Sequence, residues 1–268
     1  MRKASLYFLI AALILCTLSC HNKGDQDLPW AKTNLLFEDT GTNYWQEKWM
    51  LDGQRSQVIN SELGMELIAG SERGNDTCHT VLWTKQSFQG NICIEYDYTR
   101  TDSTSRVVNI LYFHATGKGD ADYPTDIALW NDKRIVPHMH TYFNNMNTYH
   151  ISYAAFPYTN ESGNIDYIRL RRYNPNKKGL KETDVPGDHF KTGLFKPNVT
   201  YHIQVFRHDN QIEMHIQNNQ NTSEQVICKW DVSMFPPCES GRIGFRHMYT
   251  RNARYKNIKV WEIEKNIE

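Results

Sequence analysis

From about residue 34 to its end, the chain is built of short segments in which apolar and polar residues alternate. A period of two puts successive side chains on opposite faces of an extended strand, so each segment offers one face for burial and one for other work. Residues 148–154 (TYHISYA), 167–173 (YIRLRRY), 200–208 (TYHIQVFRH), 211–217 (QIEMHIQ), 242–248 (RIGFRHM) and 255–263 (YKNIKVWEI) follow the pattern. Residues 107–113 (VVNILYF) are nearly all apolar, as in a central strand covered on both faces. Only Asp209-Asn210 separates two of these runs, which predicts a two-residue hairpin. Helical periodicity is scarce, and neither a fixed repeat nor a Pro/Gly/Ser linker divides the chain. Its 268 residues suit one all-β domain, and 12% aromatic content excludes a disordered chain. The expectation is a single-domain sandwich of two antiparallel sheets over residues 34–263, with residues 174–198 as a loop over one edge and 264–268 as a tail.

The first twenty residues read as an export signal. Arg2 and Lys3 precede an apolar stretch from Leu6 to Leu15, too short to span a bilayer comfortably. Thr17-Leu18-Ser19-Cys20 resembles a lipoprotein processing site, with Thr17 where Leu is usual. Residues 1–20 are therefore expected to be a signal peptide, Cys20 the lipidated residue and 21–33 a polar tether. The expected location is the outer membrane, on its periplasmic or surface face, held only by lipid. The whole chain carries 30 Lys+Arg and 30 Asp+Glu; loss of Arg2 and Lys3 leaves 28 against 30. That balance lacks the footprint of a nucleic-acid binder. A mean hydropathy of −0.65 excludes a polytopic membrane protein. Cys78, Cys93, Cys228 and Cys238 remain after the leader, and four cysteines allow three pairings. The sequence-local choice is Cys78–Cys93 with Cys228–Cys238; four buried thiols are the alternative.

The ends of the domain carry a resemblance. Residues 34–39 (NLLFED), with Trp45 and Trp49, resemble the opening strand of concanavalin-like jelly rolls; residues 241–246 and 255–260 resemble their closing pair. This architecture places the first and last strands side by side. Residues 130–156 (WNDKRIVPHMHTYFNNMNTYHISYAAF), followed by 167–173, resemble the YesU-like proteins, a concanavalin-like family of bacterial polysaccharide-degradation gene clusters. The resemblance implies a carbohydrate context and carries no agreed catalytic set.

The site must therefore be read from the residues. His138, His140 and Tyr142 share a face if that segment is extended. His150 lies opposite Tyr149. Arg169, Arg171 and Tyr173 oppose Ile168 and Leu170, and Arg246 opposes Ile243 and Phe245. A surface of His, Tyr and Arg suits β-elimination on a uronic-acid polymer. Arg offsets the carboxylate, one side chain removes the adjacent proton and another protonates the leaving oxygen. His140 or His150 is the expected base, Tyr142 or Tyr149 the acid, and Arg169, Arg171 and Arg246 the carboxylate binders, with His138, Tyr173 and Trp130 alongside. The expected partner is a polysaccharide or oligosaccharide.

Other chemistries are weaker. A metal on His138-x-His140 needs a third ligand from His150 or Asp126. Residues 117–122 are the best place for a structural calcium, and no other cofactor is expected. A glycosidase needs two carboxylates, for which Glu95 and Asp97 on one strand face are the best pair. A non-catalytic sugar-binding module would use Trp83, Trp130, Tyr123, Tyr142 and Tyr158 as stacking surfaces. Trp45, Trp49, Trp230 and Trp261 are expected in the core.

Overall fold

A computed structural model describes residues 29–266; the leader, Cys20 and residues 21–28 of the tether lie outside the described residues. In chain order the strands are β1 (Trp30–Asp39), β2 (Trp49–Asp52), β3 (Gln57–Ser61), β4 (Gly64–Ile68), β5 (Thr80–Gln89), β6 (Ile92–Arg100) and β7 (Val107–Gly117). A short helix α1 (Met139–Asn145) precedes β8 (Met146–Phe156), β9 (Tyr167–Tyr173), β10 (His189–Phe190), β11 (Thr200–His208) and β12 (Gln211–Asn218). The chain closes with β13 (Asn221–Asp231), β14 (Ser240–His247) and β15 (Asn252–Lys265). Sheet A runs β13-β12-β11-β6-β15-β4-β3, with β1 also paired to β15; sheet B runs β10-β9-β8-β7-β14-β5-β2. All pairings are antiparallel.

Alternation decides which side chains meet between the sheets. Ile94, Tyr96 and Tyr98 of β6, Ile203 and Val205 of β11, and Met214 and Ile216 of β12 face inward from sheet A. They meet Leu111 and Phe113 of β7, Ile151 and Tyr153 of β8, Ile168 and Leu170 of β9, and Ile243 and Phe245 of β14. Phe245 stacks on Tyr255 at 4.2 Å between centroids and meets the edge of Tyr96 at 5.0 Å. Tyr149 belongs to this core, stacked on Phe113 at 5.1 Å, and not to any outward site.

Several expectations hold. β7 occupies the middle of sheet B. Asp209, at φ 50°, turns the two-residue hairpin between β11 and β12. The first and last strands are neighbours, with Trp30 opposite Lys265. Residues 174–198 run along the free edge of β9, where Val185 N–H donates to Leu170 O at 3.1 Å.

One layer was not expected. Residues 138–142, read as a possible strand, fall instead at the cap and start of α1, which with a 3-10 helix (Ile127–Arg134) forms a roof over the outer face of sheet B. His138, His140 and Tyr142 therefore share no strand face. Below the roof lies a second core of Val81, Trp83, Ile110, Tyr112, Ile127, Trp130 and Tyr142. Gly244 makes room for it: a Cβ there would lie 2.4 Å from the Trp83 ring. The bare backbone lets Trp83 lie across β14 and stack with Tyr112 (5.4 Å) and Tyr142 (6.5 Å).

The cysteines do not pair as the sequence suggested. Cys78, Cys228 and Cys238 are free buried thiols, and Cys93 is buried on the outer face of sheet A. Burial pushes the Cys228 thiol up to about 12 and the Cys238 thiol up to about 11.

Buried histidines give the fold an acid limit. Desolvation lowers His114 to about 4, and His79 and His247 to about 3. In the unfolded chain they take up protons near pH 6.5, which the fold refuses. Their stability contribution is thus complete above about pH 6.5 and is lost as pH falls toward 4. At pH 5 the loss is up to about 2 kcal/mol per histidine, at 1.36 kcal/mol per pKa unit. The melting temperature is expected to fall by several degrees between pH 7.5 and 5.0; a flat profile would contradict this.

Candidate functional site

The outer face of sheet B carries rows of side chains set by strand register. Tyr112 on β7 lies opposite His150 on β8, and His150 lies opposite Arg171 on β9. In the next row Arg246 on β14 lies opposite Ile110, Ile110 opposite Ser152, and Ser152 opposite Arg169. His150, Arg169, Arg171, Tyr173 and Arg246 therefore share one sheet face, and α1 brings Tyr142 down onto it.

The roof is pinned by one carboxylate. Asp52 Oδ2 accepts from Trp83 Nε1 (2.7 Å), Arg134 Nε (2.6 Å) and Tyr142 Oη (2.8 Å), and Oδ1 accepts from Asn131 Nδ2 (2.5 Å). Arg134 is fully buried and lies 4.1 Å over the Trp130 ring. A second tie joins Arg242 to Asp126, the residue that caps the 3-10 helix, with Nη2 to Oδ1 at 2.9 Å. Trp130 and Tyr142 are thus roof anchors, both buried, and offer no open stacking surface. Trp83 lies mid-strand and is equally covered.

Arg246 is the buried arginine on this face whose charge no acid answers. Arg172 and Arg207, buried elsewhere, also have no carboxylate partner among the described residues, but each leaves only one buried nitrogen unpartnered. Arg246 Nη2 donates to Pro137 O (2.5 Å) and His79 Nδ1 (3.1 Å), and its guanidinium lies 4.6 Å over the Tyr142 ring. Among the described residues no carboxylate pairs with it, and Nε and Nη1 have no hydrogen-bond partner. The Tyr112 hydroxyl on the same face is also buried without one. A buried cation lacking a counter-charge is costly, so this arrangement suits an anion.

His150 sits between two hydroxyls, with Nδ1 2.5 Å from Tyr173 Oη and Nε2 2.7 Å from Ser152 Oγ. Desolvation, reinforced by Arg171 and Arg246, holds it well below the usual histidine range. Desolvation likewise pushes Tyr173 well above 10. A neutral imidazole has one donor and one acceptor nitrogen, and both are used here. The pair is covered: His150 is 3% exposed and Tyr173 is fully buried.

The rim is open and already ion-paired. Arg169 Nη2 meets Asp188 Oδ2 at 2.5 Å and Arg171 Nη2 meets Asp184 Oδ1 at 2.9 Å, both acids coming from the 174–198 loop. His138 binds Asp76 through Nδ1 (2.7 Å) and stacks on exposed His140 at 5.1 Å. No group of three or more His, Cys, Asp or Glu among the described residues is arranged to hold a metal ion. In the 117–122 loop Asp120 caps its own turn, accepting from Tyr123 N–H at 2.8 Å, and pairs with Lys118 at 3.1 Å.

Sequence reasoning missed Asp52, Arg134, Tyr112 and His79. Asp52 had one signal, an acid ending the short apolar run of residues 49–52 (WMLD).

Two antiparallel sheets packed face to face, with the first and last strands paired, define a jelly-roll sandwich, and solved structures agree on the fold. A protein of unknown function with a galectin-like fold from Bacillus subtilis matches at TM-score 0.68 and 17% identity, over 88% of this chain and all of that one. The VIP36 exoplasmic/lumenal domain in its Ca2+/Man3GlcNAc-bound form matches at 0.54 and 10%, over 83% and 87% of the two chains. A legume lectin-like domain from Entamoeba histolytica matches at 0.54 and 9%, over 88% and 100%. Within that class, residues 41–260 match the family described as a domain of unknown function, DUF1961, and the chain belongs to it. No curated protein matches the chain.

Removing the Asp52 carboxylate strands Arg134 in the second core. Asp52→Ala is expected to lower unfolding free energy in urea by about 3–5 kcal/mol, the cost of breaking a buried ion pair. A loss below about 1 kcal/mol, no more than an exposed ion pair contributes, would show that the roof is held otherwise.

Proposed function

We propose that the protein acts on an acidic glycan at the outer face of sheet B, cleaving a uronate-containing chain by β-elimination. The observation that carries this reading is Arg246, a buried guanidinium without a carboxylate, on the face that holds the covered His150–Tyr173 pair. The uronate carboxylate would sit on Arg246 and Tyr112. His150, held neutral, takes the proton beside the carboxylate. The bond to the leaving sugar oxygen then breaks as the carbon–carbon double bond forms. Tyr173, kept protonated, returns a proton to that oxygen. Tyr149 takes no part because it faces the core, and Tyr142 is committed to Asp52. His138 and His140 lie at the rim, where they can contact flanking sugars.

Access comes through Arg169 and Arg171. The side chains of Asp184 and Asp188 hold these arginines as a substrate carboxylate would, and a uronate run can exchange for them. The Man3GlcNAc-bound VIP36 domain and the legume lectin-like domain, both similar in fold, support the carbohydrate context. The YesU-like resemblance, with an exported chain lipid-anchored through Cys20, belongs to the same proposal.

Incubation with pectic, alginate-like and glycosaminoglycan polymers should yield an unsaturated product absorbing in the near ultraviolet. His150→Ala and Tyr173→Phe are expected to lower that rate by roughly 100-fold or more. Because His150 is depressed, its base form persists in acid, and the rate should show no histidine limb near pH 6.5. Asp184→Asn with Asp188→Asn should tighten oligogalacturonate binding several-fold; weaker binding would mean the acids only brace the arginines. One observation favours a second reading, binding without turnover: His150 is only 3% exposed. Retained binding with no product would select it, and neither binding nor product would reject both.

A further inference from the structure

The opposite face of the sandwich is open. Outward side chains of β12, β11, β6 and β15 line a groove of about 1020 Å³ on sheet A, at the top of the range for small-molecule sites. Its floor is made of acceptors and donors set in register. Gln204 lies opposite both Glu95 and His215, and His202 lies opposite Asp97. Glu95 Oε1 accepts from Trp261 Nε1 (2.8 Å), and Oε2 accepts from Lys32 Nζ (2.7 Å). Asp97 Oδ1 accepts from His202 Nδ1 (2.9 Å), and Oδ2 from Asn257 Nδ2 (2.8 Å). Trp261, expected in the main core, stands here instead, braced by Cys93, Phe206 and Ile263.

Three properties narrow the ligand. Each carboxylate offers about four lone-pair sites, so both keep acceptor capacity toward the groove. Lys32 neutralises Glu95 and His202 pairs with Asp97, so the floor is no trap for a polyanion. Burial, the largest single influence, would raise both acids. The hydrogen bonds and charges around them together outweigh it, from Lys32, Trp261 and Gln204 at Glu95 and from His202, Asn257 and Asn219 at Asp97, and hold both below the usual carboxylate range. Neither acid therefore carries the proton that a glycosidase must donate. What remains is a polar strip with an aromatic edge, which matches rows of sugar hydroxyls above an apolar ring face.

We infer that the sheet A groove is a second saccharide site, for an uncharged oligosaccharide, separate from the acidic-glycan site on sheet B. It stands on its own residues and survives failure of that reading.

The test is calorimetric titration of the folded protein with cellohexaose, xylohexaose, mannohexaose, maltohexaose and hexagalacturonate. At least one neutral hexaose should bind saturably. Gln204→Ala and His215→Ala should each weaken that binding tenfold or more with unchanged melting temperature. Arg171→Ala, on the other face, should leave it alone. Hexagalacturonate binding should show the reverse pattern, so the two sites fail separately. No binding by any neutral hexaose overturns the inference, as does neutral binding lost in Arg171→Ala but kept in Gln204→Ala and His215→Ala.

Discussion

The roof over sheet B depends on the Asp52 carboxylate. It gathers an indole N–H, a phenol, a guanidinium and a side-chain amide from three separate segments: β5, α1 and the 3-10 helix. Without it these donors would be buried unpaired, at about 1–3 kcal/mol apiece and more for the charged one. Because Asp52 accepts from them, residues 127–145 can close on the sheet and exclude water. Dryness then sets the chemistry below: it keeps His150 neutral, keeps Tyr173 protonated and leaves the Arg246 charge poorly screened.

The two outer faces solve opposite problems with one period of alternation. Outward positions of β5 and β7 hold Val81, Trp83, Ile110 and Tyr112, which need cover. Outward positions of β6, β11 and β12 hold Glu95, Asp97, His202, Gln204 and His215, which need water or a hydrogen-bonding ligand. The aromatic richness of the chain reflects the first choice, since it fills two cores. Trp83, Trp130 and Tyr142, three of the residues offered as sugar-stacking surfaces, lie buried in the second core, whereas Tyr158 stands exposed.

Legibility followed the contrast between the faces. Strands β9 and β11 were readable to the residue because apolar Ile168 and Leu170, and Tyr201, Ile203 and Val205, alternate with polar Arg169 and Arg171, and with His202 and Gln204. β13 (NTSEQVICKWD) escaped notice: it turns only Val226, Cys228 and Trp230 inward, and its first half is wholly polar. β5 has apolar residues on both faces, so alternation fails there. The facing of Arg169, Arg171, Arg246 and His150 was readable from strand parity. The roof was not, because its two helices span only 8 and 7 residues and His138-x-His140 fits strand spacing as well as helix. Asp52 was out of reach for another reason: its partners lie 31 to 90 positions away.

The buried thiols carry a chemical consequence. A thiol near 12, such as Cys228, is ionised in only about one molecule in 100,000 at pH 7, and the thiolate is the reactive form. Cys238, near 11, is about tenfold more ionised and still sealed beside His114 O at 3.3 Å. Such sulfurs behave as small hydrocarbons that happen to be polarisable. The sandwich should therefore be indifferent to redox conditions: mild oxidants, alkylating reagents and reductants should find little to modify until the sheets come apart, so thiol labelling would report unfolding itself.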